Sequence, residues 1–258
     1  MKWFFGFNAE TDWYVNYFRY IKCAVNSAKQ NTTLEPHFLY DGGPEELTEY
    51  LTDRGVQVHF IRSRFYDFFM SLKSSGINAN VACGAYLWAE IPDLVYETDP
   101  FVLYTDCDVM FMGDVSELQG MRPRHFACAP EFDKDNWSYF NSGVMVMNTV
   151  SMQRKMERFE KIVYGSRVQK LMKSYDQESY NEMYKGVWDR LPVEYNWKPY
   201  WGFNEGIKIL HFHGLKVENI ERALRGEELE PVLRRMWESS PIEYKKFYDL
   251  AIGYEGIL

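Results

Sequence analysis

Hydrophobic and polar positions alternate between two periods along the first hundred residues. Residues 2–7 form an apolar, aromatic run, and residues 11–29 set Tyr14, Phe18, Ile21 and Val25 at helical spacing. A strand followed by a helix is expected. The cycle then repeats. Residues 37–40 read as a short strand stopped by Asp41, Gly42 and Gly43, with Pro44 at the first position of a helix that Gly55 closes. Residues 56–61 predict a third strand, 78–90 a helix and 101–105 a fourth strand. This alternation predicts an α/β fold with a mostly parallel central sheet flanked by helices. Ligands of such sheets bind beyond the carboxyl ends of the strands, where Asn8, Asp41, Asp106 and Asp108 fall.

Past residue 120 the pattern is less regular. Strands are expected at 126–129 and 143–147, helices over 150–162 and 176–185, and a last strand over 207–210 that delivers His211 and His213. The tail reads as helical, with Ser240 as N-cap, Pro241 at the first position and Glu243 at the third. No repeat, low-complexity segment or linker interrupts the chain.

The strand over 102–105 carries more than packing, because it runs into Asp106 and Asp108. Residues i and i+2 of a strand share a face, so both carboxylates reach one point. Two ionised carboxylates that close need a cation or a shared proton. Hard divalent metals with oxygen ligands are the usual partner, and they most often also hold a phosphate. His211 and His213, also two apart, leave a strand and are followed by Gly214 and Lys216. Imidazole beside two carboxylates suits Mn²⁺ better than Ca²⁺, and a neighbouring lysine can neutralise phosphate. The plainer alternatives are solvated loop carboxylates and core histidines with satisfied partners.

Composition narrows the class. The 258 residues are enough for one large α/β domain, and 46% are apolar. Aromatic residues make up 17%, which serves core filling first and could also wall sugar rings or bases. A net charge of −8 with no basic run argues against a nucleic-acid partner. Cys23, Cys83, Cys107 and Cys128 show no C-x-x-C spacing, as expected of reduced, buried thiols in a cytoplasmic protein. The apolar start is too short for a signal peptide, and no transmembrane segment is expected.

Taken together, the motifs resemble those of family 8 glycosyltransferases, the glycogenin-like and lipopolysaccharide galactosyltransferase-like enzymes of the GT-A fold. The resemblance rests on their order: Leu103 to Asp106 and Asp108, Gly113-Asp114, Phe140 to Val144, Asp176-Gln177, and His211 followed by Gly214. It implies a catalytic domain over 1–217, with 218–258 as a helical appendage of the same domain. It further implies a Mn²⁺-dependent (Mg²⁺ possible) retaining transferase. Such an enzyme moves a hexose from UDP-glucose or UDP-galactose to a glycan or glycolipid acceptor. By the same resemblance Asp106, Asp108 and His211 are the metal ligands, and Lys216 contacts the diphosphate beside Gly214. Phe7 and Asn8 hold uracil and ribose by position, Asp106 also approaches the ribose or sugar, and Asn141, Ser142 and Gly143 line the sugar pocket. Asp176 and Gln177 resemble the pair facing the anomeric carbon, with a helix N-cap as the structural alternative for Asp176.

Two departures stand out. Trp88 occupies a place where the family usually has a basic residue, with Lys73 as a substitute cation or weakened activity as the consequence. Lys216 falls one residue earlier than in the longer family form and lacks the following Pro-Trp. Two other readings stay open. One is a nucleotide-sugar-binding protein of this fold without turnover. The other is a haloacid-dehalogenase-type phosphohydrolase, whose motif is also an apolar strand leading into D-x-D. The aromatic segment 195–202 could stack on an acceptor or simply pack.

Overall fold

A computed structural model describes residues 1–11 and 14–255, with Tyr14 and Val15 described by backbone alone. Strands β1 (Lys2–Asn8), β2 (Glu35–Asp41) and β3 (Gln57–Phe60) alternate with helices α1 (Tyr14–Asn31) and α2 (Glu46–Asp53). Helices α3 (Tyr66–Ser71), α4 (Ala79–Ala85) and α5 (Ile91–Val95) lead to β4 (Phe101–Thr105) and β5 (Val109–Phe111). Next come β6 (Phe126–Pro130), β7 (Phe140–Asn148) and helices α6 (Thr149–Gln153), α7 (Met156–Tyr164), α8 (Val168–Ser174) and α9 (Asp176–Met183). Strands β8 (Asp189–Arg190) and β9 (Ile209–His211) precede helices α10 (Val217–Leu224), α11 (Pro231–Ser239) and α12 (Pro241–Glu255).

The main sheet runs β3-β2-β1-β4-β7-β6-β8. Only β7 is antiparallel to its neighbours, so the sheet is mostly parallel, as the alternation predicts. Helix crossovers cover both faces of such a sheet, which therefore needs apolar side chains on each. Chain chemistry agrees: Trp3, Phe4 and Phe5 of β1 are fully buried, Phe4 in one apolar layer and Trp3 and Phe5 in the other. A third layer lies under the C-terminal helices, joining Tyr20 and Cys23 of α1 to Leu210, Phe212, Tyr244 and Phe247. Arg19 ties that layer's rim by pairing with Glu221 at 2.7 Å and Glu255 at 2.9 Å. All four cysteines are free and buried. Among the described residues no helix is long and apolar enough to cross a membrane.

Several expected elements shift, each at a position where local chemistry competes with periodicity. The expected start of the first helix includes residues 12 and 13, which lie outside the described residues. Pro44 precedes α2 rather than opening it, because Glu45 is the N-cap and Thr48 Oγ1 accepts its backbone N–H at 2.9 Å. The single helix over 78–90 is instead α4, a 3-10 turn at Leu87–Glu90 and then α5. Asn78 caps α4 through Val81 N–H, and Pro92, lacking an N–H, falls in the first turn of α5. Helix 150–162 divides into α6 and α7. The last strand begins at Ile209 rather than 207. Helix α3 lies where a loop is expected, and β5 has no counterpart among the expected strands.

On the sheet's far edge His37 Nδ1 and His59 Nε2 lie 3.0 Å apart beside Lys2. Burial, then the neighbouring His59 and Lys2, hold His37 down at about 4, and burial lowers His59 too. Both rings are thus neutral in the fold but gain protons in the unfolded chain near their ordinary value of 6.5. Below that value the unfolded state binds more protons, so stability falls with falling pH. Thermal midpoints should drop progressively from about pH 6.5 toward about pH 4. In His37→Phe that slope should be visibly shallower; an unchanged slope would exclude this pair as its source.

Candidate active site

The two carboxylates leave the sheet where β4 ends. Asp106 N–H donates to Gly143 O at 2.8 Å, so β7 still holds the chain at that point. The chain then turns into β5, which pairs antiparallel with β9 and sets Val109 opposite His211. Phe212 N–H donates to Asp108 O at 2.9 Å, extending that ladder by one bond. This two-stranded ribbon brings residue 211 to residues 106 and 108. His211 Nε2 lies 3.6 Å from Asp106 Oδ2 and 3.4 Å from Asp108 Oδ1. One ligand atom from each of the three residues falls within 4.8 Å of the others. Two carboxylate oxygens and an imidazole nitrogen on that scale suit Mn²⁺, with Mg²⁺ a poorer match to the nitrogen.

Electrostatics match the geometry. The surrounding protein and then the charge of Asp108 push Asp106 up to about 7, although its side chain opens onto the cleft. Burial would push Asp108 up as well, but the Lys216 ammonium against it draws it well below the usual carboxylate range. Burial also lowers His211 to about 4, leaving a neutral ring with a lone pair to offer. The Lys216 ammonium contacts Asp108 and donates to Phe212 O at 2.9 Å, a positive charge already seated at the acidic pair.

These residues line a cleft of about 460 Å³ that also takes in Phe7, Asn8, Asn141, Ser142, Asp176 and Gln177. Gly143 and Gly214 are not on its wall; their part is spatial. A Cβ on Gly143 would meet His211 Cε1 at 2.2 Å and Asp106 Oδ2 at 2.8 Å, so only glycine lets β7 pass behind the cluster. Gly214 turns at φ +89°, and a Cβ there would strike Met236 of α11. The C-terminal helices therefore brace the loop that carries Lys216.

His213 faces the opposite wall. Its Nε2 pairs with Glu131 Oε1 at 2.9 Å and its Nδ1 meets Tyr200 Oη at 2.9 Å, so it neither replaces nor joins His211. Asp176 is not a helix cap. Tyr175 holds the cap position at φ +43°, while Asp176 Oδ2 accepts Trp88 Nε1–H at 3.1 Å. Burial, then the Asp106 charge, raise Asp176 well above the usual range. Trp88 is buried against Tyr180, with ring centroids 4.1 Å apart, and off the cleft wall. Lys73 is exposed and off that wall too, so it does not stand in for a basic residue; the cation at that rim is Lys173. Segment 195–202 packs: Tyr195 and Trp197 are buried, and Trp201 Nε1–H ties to Phe132 O at 2.7 Å.

Sequence reading alone passes over Tyr17, Glu131, Asn196 and Lys198. Tyr17 stacks on Phe7 at 4.9 Å on the cleft wall. Glu131 sits just past the end of β6, a carboxyl-end position like that of Asp106, and this was the available signal. Burial opposes its ionisation, but His213 holds it below its usual range. Lys198 is fully buried, and burial takes it down to about 7.

Gly143→Ala should leave the main sheet folded while displacing His211 and Asp106. Overpacking of this kind costs about 1–3 kcal/mol. Scanning calorimetry with and without Mn²⁺ should show a lowered midpoint and no metal-dependent rise. A full metal response in this variant would contradict the packing argument.

The family description "Glycosyl transferase family 8" matches residues 13–217. A comparison with curated protein sequences finds no match. Among solved structures, the glycosyltransferase GlyE of Streptococcus pneumoniae TIGR4 superposes with a TM-score of 0.64 at 18% identity. That match covers 96% of this chain and 63% of the GlyE chain, so this chain spans under two thirds of that protein's length. The galactosyltransferase LgtC, in complex with donor and acceptor sugar analogs, gives 0.63 at 16% identity over 98% of this chain and 96% of its own. Mouse xyloside xylosyltransferase 1 gives 0.60 at 13% identity, covering 83% and 98%. The α/β architecture is thus that of the GT-A glycosyltransferases. With the family description matched over most of its length, the chain belongs to glycosyl transferase family 8.

Proposed function

We propose that this chain is a divalent-metal-dependent glycosyltransferase. In this reading it moves a hexose from UDP-glucose or UDP-galactose to a glycan or glycolipid hydroxyl, with retention at the anomeric carbon. The observation that carries the proposal is the Asp106–Asp108–His211 cluster, with Lys216 beside it, at one end of a cleft of nucleotide-sugar size. Residues 1–217 would hold the catalytic machinery, with the C-terminal helices as its brace.

Asp106, Asp108 and His211 would hold Mn²⁺, which when bound supplies Lewis-acid stabilisation to the charge on the departing diphosphate. Lys216 adds a second positive charge there, turning its ammonium from Asp108 to phosphate oxygen. Phe7, Tyr17 and Asn8 form the wall for the base and ribose. Asn141, Ser142, Asp176 and Gln177 form the hexose wall. Gln177 Oε1 already accepts Ser142 N–H and Asn141 Nδ2–H, each at 3.0 Å, and Nε2 donates to Glu131 Oε2 at 2.8 Å. An amide oxygen so engaged favours positioning over nucleophilic attack. The reading preferred is therefore same-face displacement. The acceptor oxygen bonds the anomeric carbon as the sugar–phosphate bond breaks, and the acceptor proton passes to the departing phosphate oxygen.

A second reading, binding without turnover, is favoured by one observation: the buried Trp88 pairs with Asp176 and offers no charge to the cleft. The phosphohydrolase reading has no such support: an imidazole as well as Lys216 meets the two carboxylates, and no adjacent acidic pair directly follows that lysine.

A panel of UDP-glucose, UDP-galactose and UDP-N-acetyl sugars should raise the thermal midpoint by a few degrees in Mn²⁺ and little in chelator. Asp108→Ala should lose both that shift and any Mn²⁺-dependent UDP release. Shifts with no UDP release from any donor, across several acceptors, would move the conclusion to the binding reading. Trp88→Phe keeps the ring packing but removes the bond to Asp176, worth about 0.5–1.5 kcal/mol net where the partner is neutral. Turnover should fall about tenfold or more with the midpoint barely changed; unchanged turnover would show that Trp88 is core filling alone.

A further inference from the structure

We infer that Asn196 is a positioning residue that fixes the ring tautomer of His211 and thereby sets how tightly the acidic cluster holds a divalent ion. The inference rests on the metal reading of the site just proposed.

His211 Nε2 faces the two carboxylates, so a ligand role requires its lone pair there and its proton on Nδ1. Nδ1 lies 3.1 Å from Asn196 Oδ1. An amide can present oxygen or nitrogen, and here backbone donors decide which. Gly143 N–H, which can only donate, points at Asn141 Oδ1 at 3.2 Å. Asn141 Nδ2 is thereby left for Glu131 Oε2 at 2.9 Å and Gln177 Oε1 at 3.0 Å. Ser142 N–H fixes Gln177 in the same way. Because Asn141 shows an oxygen, Asn196 must turn its Nδ2 toward it, at 2.9 Å, and its own oxygen toward His211. Flipping Asn196 would set two amide oxygens face to face between two buried side chains.

The relay is also held rigidly. Asn196 is fully buried, and its carbonyl accepts Lys198 Nζ at 2.8 Å. The same ammonium donates to Pro130 O at 2.9 Å, clamping the turn at 193–196 to the end of β6. Trp197 N–H donates to Ile209 O at 3.0 Å and Trp197 O accepts His211 N–H at 2.8 Å, so residues 196 and 211 move as one piece. Partners that orient a metal-binding histidine in this way commonly change metal affinity 10–100-fold when removed.

Two measurements on the full chain test the assignment. Histidine nitrogen shifts of the metal-free wild-type protein should show His211 protonated on Nδ1. In Asn196→Ala they should show the Nε2–H form or a mixture. Calorimetric titration with MnCl₂ alone should give a dissociation constant about 10–100-fold weaker for Asn196→Ala. Asn196→Asp keeps an oxygen facing His211 but loses the donor to Asn141, so its affinity should match or exceed wild type although both variants lower the thermal midpoint. A merely structural residue would move affinity in step with stability in both. Equal losses in the two variants, or an Nε2–H signal in wild type, would overturn the inference. A wild-type protein that takes up no Mn²⁺ defeats the metal reading itself, and the nitrogen shifts then judge the tautomer separately.

Discussion

Repulsion between Asp106 and Asp108 is the constraint around which the rest of the site is arranged. Held on one face at the end of a buried strand, two carboxylates cannot both stay charged without a compensating cation. The protein answers asymmetrically. Asp108 keeps its charge because the Lys216 ammonium lies against it, while burial and that very charge lift Asp106 to about 7. At neutral pH the cluster thus carries about one carboxylate charge beyond a half-ionised neighbour, set against one ammonium. A divalent ion seated among them would let both carboxylates ionise together.

Two long-range connections make this arrangement, and they differ in how far the sequence betrays them. The acidic pair is readable because a strand has a two-residue period: an apolar run ending in Asp106 and Asp108 must aim both the same way. His211 is readable from the ordered motifs, yet the device that brings it home is not. Strand β5 has only three residues, too few for any periodicity, and it pairs with a strand some hundred residues away. Glu131 and Asn196 are harder still. Each is one polar residue at the edge of an apolar stretch, and nothing in the linear pattern tells a buried hydrogen-bond hub from a turn residue. Helix breaks at Ala85 and Arg154 fall in the same class, since tertiary packing rather than propensity decides them.

The C-terminal helices enter through the same logic of bracing. Lys216 sits at the entrance to α10, and the loop before it turns on Gly214, whose α-hydrogen faces Met236. Arg19 links that bundle back to α1, whose Tyr17 lines the cleft beside Phe7. Charge on Lys216 is therefore positioned by packing that lies beyond the residues matching the family, which end at 217.

Along the cleft the polarity changes in a way that explains Trp88. At the Asp108 end the groups are ionic: a carboxylate, an ammonium and a metal-ready imidazole. At the Gln177 end amides and hydroxyls stand with Asp176, which burial holds toward its neutral form, and with Glu131, which His213 holds below its usual range. A basic residue at position 88 would favour ionised Asp176 and set a buried ion pair beside Gln177, with its desolvation cost. An indole N–H instead orients Asp176 Oδ2 at 3.1 Å without adding charge. The departure from the family pattern at Trp88 therefore leaves Asp176 held by a neutral donor, with no charge added beside it.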